Sequence, residues 1–237
     1  RDLEQVLLGA KEIFKLVDCP LIGGHTMIGK DKDPVIGFSI LGQKQKKMES
    51  IKNRRKIKTK DLLILTERIG SGLIFAGINN YLIDSHFQID VIKQMIKGNI
   101  NFGKICNQLN ILSMTDITGF GLANHLLNLI KRDNSKTGLT IYPNKIPLFE
   151  GVNECINKNI KSSLFESNYD IAQKDIIYKR DKSKLDNILY DPQTVGGIAF
   201  IIPQEEKYKH FKVLKENNIK FTEIGFVNNI ENKIAIN

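Results

Sequence analysis

A layered α/β (α+β) fold, with strands and helices interleaved rather than gathered into separate blocks, is what this 237-residue sequence predicts. Three observations carry the expectation. Apolar runs of strand length recur along the chain, as at residues 61–65 (DLLIL) and 197–202. Between them stand stretches with apolar residues at helical spacing, as at 89–109 and 205–217. Glycine-rich turns join the two kinds of segment, as at Gly70-Ser71-Gly72.

Taken in order, residues 1–17 (RDLEQVLLGAKEIFKLV) read as an amphipathic helix, and the charges among the apolar positions exclude a signal peptide. The short apolar runs 20–24 (PLIGG) and 35–41 (VIGFSIL) read as strands. Residues 43–60 (QKQKKMESIKNRRKIKTK) lack regular apolar periodicity, and the shift in composition makes this segment the best candidate for a domain boundary. It reads as a solvated loop or an anion-attracting patch. A third strand at 61–65 and a helix over 73–78 follow, then one helix over 89–109, where no proline interrupts the spacing. Residues 111–116 (ILSMTD) read as a strand, 122–131 as a helix and 139–142 as a strand. A helix is expected within 148–157, mixed structure over 161–180, a strand at 197–202, a helix at 205–217 and a strand at 221–227.

Composition narrows the function classes. The chain is 41% hydrophobic with 18 Gly, 3 Cys and no Trp, which excludes collagen-like, disulfide-scaffold and disordered chains. No run approaches the length of apolar sequence needed to span a bilayer. The cysteines, Cys19, Cys106 and Cys155, are far apart and form no Cys-x-x-Cys pair, so they read as buried or incidental thiols of a reducing compartment. The formal charge of +9 invites a nucleic-acid reading, but no aromatics interleave with the basic run at 43–60, so the stacking platform of a single-strand binder is missing.

Three segments carry candidate chemistry. In residues 113–122 (SMTDITGFGL) a strand delivers Asp116 at its carboxyl end, and two glycines turn the chain into a helix whose N–H groups point back toward the same spot. Asp116 there either holds Mg²⁺, which prefers carboxylates shared with phosphate oxygens, or caps the turn. Gly23-Gly24-His25-Thr26 follows an apolar run, and its glycines would let a ligand approach the backbone; an ordinary turn explains it as well. Residues 190–197 (YDPQTVGG) make a rigid, donor-rich loop just before a strand. His125 reads as packing on its helix, while His86 and His210 have no partner at zinc-ligand spacing. No G-x-S-x-G elbow and no Walker loop is present, so any phosphate chemistry must use another cradle.

Together, GGHT at 23–26, TDITGFGL at 115–122 and DPQTVGG at 191–197 resemble the selenophosphate synthetase (selenide, water dikinase) family, as do residues 61–72 (DLLILTERIGSG) and 224–226 (IGF). The resemblance implies the C-terminal part of a two-domain fold of the aminoimidazole ribonucleotide synthetase superfamily. Residues 1–58 would be the tail of the N-terminal ATP-binding domain and 59–237 the C-terminal α/β domain. It implies a cytoplasmic homodimer that makes selenophosphate, AMP and phosphate from ATP, selenide and water with Mg²⁺. Asp116 would be a metal ligand, and Gly24, His25 and Thr26 would contact ATP held mainly by the partner subunit. The family's nucleophilic Cys or selenocysteine, its paired Lys and its other metal-binding aspartates are then expected upstream of Arg1. No catalytic residue is therefore assigned here, and this stretch alone is expected to be inactive. The sequence departs from the family pattern at Val195, where many members have Ser, at Ser162-Ser163-Leu164, where many have Gly-Gly-Thr, and at Glu67-Arg68, which replaces a usual Lys-Pro. Three competing readings are a selenide-independent paralogue or pseudoenzyme that keeps nucleotide binding, another superfamily member such as a thiamine-monophosphate kinase or a hydrogenase maturation factor, against which the TDITGFGL and DPQT pair argues, and a basic RNA-binding module built on 43–60.

Overall fold

Two rows of alternating apolar side chains explain the centre of the sheet. In the computed structural model, which describes residues 2–27, 29, 35–42 and 55–237, strand β1 (Leu62–Thr66) lies fully buried. Two antiparallel strands flank it, one spanning Ile198–Ile202 and one spanning Phe221–Asn228. Leu63, Leu65, Ala199 and Ile201 join one hydrophobic cluster, while Leu62, Ile64, Phe200 and Ile202 join another on the opposite face. The period of two along each strand thus supplies both cores at once.

Among the described residues the sheet around this centre has seven strands: β1, β2 (Ser113–Asp116), β3 (Gly138–Ile141), β4 (Ile176–Tyr178), β5 (Ile198–Ile202), β6 (Phe221–Asn228) and β7 (Ile234–Ile236), in the order β2-β5-β1-β6-β3-β7-β4. β2 and β4 are therefore the edges. Only the β3–β7 and β4–β7 pairs are parallel. The helices are α1 (Asp2–Leu16), α2 (Ser71–Asn79), α3 (Gln88–Lys97), α4 (Ile100–Ile105), α5 (Gly121–Asp133), α6 (Val152–Asn157), α7 (Phe165–Ala172) and α8 (Lys207–Glu216). α2, α5, α6 and α7 bury most of their apolar residues in the first core; Phe102 and Ile105 of α4 and Leu214 of α8 pack into the second. The α/β expectation holds.

Several details differ from the sequence reading. The single helix expected over 89–109 is two, because Gly98 turns out at φ +57° and its N–H closes α3 onto Gln94 O at 3.0 Å. Apolar periodicity continues through the break because the two helices serve different cores: Val91 belongs to the first, Phe102 and Ile105 to the second. The segment 161–180 resolves into α7 and β4, and β7 appears beyond the last expected strand. Residues 20–24 and 35–41 are not strands. A strand needs a neighbouring edge for its N–H and C=O groups, and among the described residues these runs pair with none.

The chain divides into two compact units, Arg1–Glu49 and Ser50–Asn237. In the first, α1 carries Asp2 and Glu4 in its first turn and Lys15 in its last, which complements the helix dipole. No residue of α1 is buried, and Phe14 meets Phe38 edge-on at 5.6 Å between ring centroids. In the second unit, the described end of the basic run is anchored rather than loose. Ile57 is buried, and Arg55 forks onto the buried Asp61 carboxylate at 2.7 and 2.6 Å. Residues 43–54 of that run lie outside the described residues.

α8 buries an ionisable side chain. His210 is fully buried, and neither ring nitrogen has a hydrogen-bond partner among the described residues, although Glu206 Oε2 lies 3.5 Å from Nε2. Burial pushes the His210 pKa down, with Lys209 adding to the effect and Glu206 opposing it. Below about pH 6.5 the unfolded chain therefore takes up a proton that the folded chain refuses, and stability falls as pH falls. Replacing His210 by Leu removes two unsatisfied polar atoms and this proton linkage. H210L is expected to raise stability by about 1 kcal/mol at pH 8 and by more at pH 5.5, measured by urea unfolding. An unchanged or steeper pH dependence in the variant would contradict this.

Candidate functional site

Three loops meet at one end of the sheet. Asp116 closes β2 opposite Ile198, the first residue of β5, and Leu65 of β1 pairs with Ala199, so the carboxyl ends of β1 and β2 and the amino end of β5 lie together. Gly70-Ser71 opens α2, residues 117–120 lead from β2 into α5, and 191–197 lead into β5. Ile117 N–H donates to Gly197 O, and Gly196 N–H to Ile117 O, both at 3.0 Å; Gln193 N–H donates to Thr118 O at 3.1 Å. Gly197 at φ +83° permits the closest approach, since a Cβ there would collide with Thr66 O.

The 191–197 loop is tied down by hydrogen bonds, and its polar side chains are spent on holding α2. Gln193 Oε1 accepts from Gly70 N–H at 2.8 Å and from Ser71 N–H and Oγ–H, each at 3.1 Å. Its Nε2 donates to Asp191 Oδ2 at 2.8 Å. Asp191, fully buried, also accepts from Leu73 N–H at 3.2 Å and Ser162 Oγ–H at 3.1 Å. These acceptors satisfy N–H groups that the first turn of a helix leaves without intrahelical partners. Burial pushes the Asp191 pKa up to about 7, against the pull of the donors around it. Val195 sits at φ +55°, a conformation that costs a β-branched residue about 1–2 kcal/mol.

Asp116 is exposed, and no described side chain forms a hydrogen bond or ion pair with its carboxylate. The loop beneath it is held from α5. Thr118 N–H donates to His125 Nε2 at 3.1 Å, and Thr115 Oγ lies 3.4 Å from Nδ1. Burial lowers the His125 pKa and Arg132 adds to this, while Asp116 raises it. Asn168 Nδ2 donates to Gly119 O and Tyr190 O at 2.9 and 3.0 Å, which ties the same loop to α7.

One half of the expected site differs. Residues 121–124 are buried, and Gly121 at φ +73° is wedged so that a Cβ would lie 2.9 Å from the Tyr190 carbonyl carbon. The α5 N-terminus therefore offers no open face to an anion. What remains exposed is the carboxylate.

Gly24, His25 and Thr26 belong to the first unit, where they are exposed and line an open groove of about 570 Å³ with Leu3 and Leu7 of α1 and Phe38. His125 does more than pack, because it hydrogen-bonds the Asp116 loop. His86 lies on the surface beside Asp84 at 2.9 Å. The positions that depart from the family pattern have structural partners: Ser162 on Asp191, Glu67 on Lys97 at 2.6 Å, and Arg68 on Asp90 at 3.2 Å. Sequence reading missed Ser71 and Asn168. Both are short polar residues beside apolar helix starts, and nothing local marks them as clamps between distant loops.

A divalent cation fits this donor set only in part. Among the described residues no group of three or more His, Cys, Asp and Glu side chains could hold a metal ion. Mg²⁺, however, keeps several waters and is bound by one or two carboxylates plus substrate phosphates, so a single exposed carboxylate suits an ion shared with a nucleotide.

Residues 58–235 match the family model described as AIR synthase related protein, C-terminal domain. Two relatives named selenide, water dikinase are similar along most of this chain. The one from Campylobacter jejuni is 28% identical over 99% of this chain and 66% of its own length. The one from Clostridioides difficile is 30% identical over 91% of this chain and 60% of its own length. The chain thus spans about 60–66% of these relatives. Thiamine-monophosphate kinase from Stenotrophomonas maltophilia shares the fold, with a TM-score of 0.54 and 9% identity over 77% of this chain and 51% of that one.

Proposed function

Because the chain belongs to the family of AIR synthase related proteins through that C-terminal domain, we propose that the complete protein is a selenide, water dikinase. In this reading it makes selenophosphate, AMP and orthophosphate from ATP, selenide and water. Supporting it are the relatives of that name along nearly the whole chain, and the exposed Asp116 at the carboxyl end of β2 carries the mechanistic part. Residues 1–58 form the tail of the N-terminal ATP-binding domain and 59–237 the C-terminal α/β domain. The protein acts in the cytoplasm as a homodimer, and Gly24, His25 and Thr26 contact the nucleotide held mainly by the partner subunit.

Phosphoryl transfer asks little covalent chemistry of the protein, so positioning and charge neutralisation dominate. Asp116 would hold Mg²⁺ by its carboxylate, and the ion would supply neutralisation of charge on phosphate oxygens. The buried clamp of Asp191, Gln193 and Ser71 ties the adjoining loops together. The selenide that the relatives' name gives is tested as substrate by phosphorus NMR on the complete protein with ATP and selenide. Selenophosphate and AMP are the expected products; ATP turnover indifferent to selenide would favour a selenide-independent paralogue instead.

A further inference from the structure

We infer that His125 is a positioning residue whose ring clasps the loop on both sides of Asp116 and fixes the direction in which that carboxylate is presented. The inference rests on the reading of Asp116 as a cation ligand, but its geometric half stands apart from that reading.

Asp116 ends an edge strand, so among the described residues only β5 pairs with it, and the chain beyond must be held by something else. The hydrogen bonds around it have a direction. A backbone N–H can only donate, so the bond from Thr118 N–H at 3.1 Å requires His125 Nε2 to be the unprotonated nitrogen. The ring proton of the neutral imidazole then sits on Nδ1, which faces Thr115 Oγ at 3.4 Å. Thr115 Oγ–H in turn donates to the carbonyl oxygen of Asp116 itself, at 3.1 Å. Thr118 Oγ lies 3.0 Å from Nε2 and shares that nitrogen's one lone pair with the Thr118 N–H. One ring thereby fixes residues 115 and 118 and, through Thr115, the backbone of residue 116.

The ring is itself well anchored. It projects from the second turn of α5, whose Leu122, Leu126, Leu129 and Ile130 are buried in the first core, and it packs 5.9 Å from Phe120. A ligand-bearing residue held in this way loses affinity about 10–100-fold when its hydrogen-bonded support is removed. Plain packing would need neither the tautomer nor the two threonines.

The test uses this chain, labelled with nitrogen-15, and Mn²⁺ alone as probe. Expected are a His125 ring protonated at Nδ1 only and a slowly exchanging Thr118 amide. H125L should speed that exchange and weaken Mn²⁺ broadening of the Asp116 amide about tenfold or more. H125Q should restore most of both, since its side-chain oxygen can accept from Thr118 N–H. Protonation at Nε2, or H125L exchange equal to wild type at residues 115–118, would overturn the inference. Equal loss in H125L and H125Q, with melting temperatures lowered alike, would reduce His125 to a packing residue and overturn it too. If Mn²⁺ leaves the wild-type Asp116 amide untouched, the cation reading fails, while tautomer and exchange still decide the clasp.

Discussion

Asp116→Asn in the complete protein is expected to lower ATP consumption by about a hundredfold or more while leaving the unfolding transition where it is. The fold should survive because the side chain is exposed and makes no ion pair with any described residue, and because the strand pairing of residue 116 is a backbone matter. The activity should not. Removing one well-placed electrostatic stabiliser typically costs about 2.7–4 kcal/mol of activation free energy, which is the stated factor in rate. Asn keeps the shape and removes only the charge. Near-normal turnover in a purified, folded D116N protein would mean that this carboxylate does not face the phosphates.

Asp191→Ala should act on the fold instead, with a loss of about 3 kcal/mol or more in urea unfolding. Its carboxylate serves Leu73 N–H, Gln193 Nε2 and Ser162 Oγ inside the protein, and Ala removes the acceptor of all three, leaving Gln193 Nε2 only the backbone oxygen of residue 191. The conservative variant reads the charge. Because the folded pKa stands near 7 against an ordinary value of 3.8, the folded state holds more protons than the unfolded one between those values. This group's contribution therefore makes the protein more stable as pH falls from about 7 to about 4, opposite in sign to His210. Asn carries no charge to bury and still offers an oxygen to the donors, while Ser162 can reverse its hydroxyl toward the new NH₂. D191N is thus expected to compare more favourably with the native protein at pH 8 than at pH 5. The same difference at both would show that the carboxyl is not buried as a charge.

The fold was legible where burial is periodic. Residues 62–65 and 198–202 are apolar at every position because both faces are covered, and their strand character follows from length and β-branching without knowledge of partners. β4 and β7 escaped because each is three residues long and exists through a parallel partner far away in sequence, as in the pairing of Ile176 with Ile234. The runs 20–24 and 35–41 misled for the converse reason: local apolarity resembles a strand, but a strand is a relation between two segments.

At the site, Asp116 could be singled out as a carboxylate between a strand end and a glycine turn, which either holds a cation or caps the turn. The expectation that the N–H groups at the start of α5 open toward the same spot as Asp116 did not hold, since Tyr190 presses its backbone against Gly121, and no pattern in the 115–122 segment records that neighbour. Gln193 was visible as a polar residue in a tight loop. Its partners Gly70 and Ser71 lie more than a hundred residues away, so its capping role belongs to the tertiary structure.

The central claim is that Asp116 holds a divalent cation shared with nucleotide phosphates. It is tested most directly by calorimetric titration of Mg²⁺ into the complete protein carrying a non-hydrolysable ATP analogue, in wild type and D116N. A nucleotide-dependent site whose affinity drops about tenfold or more in D116N is the predicted result. Equal Mg²⁺ affinity in the two proteins would contradict it.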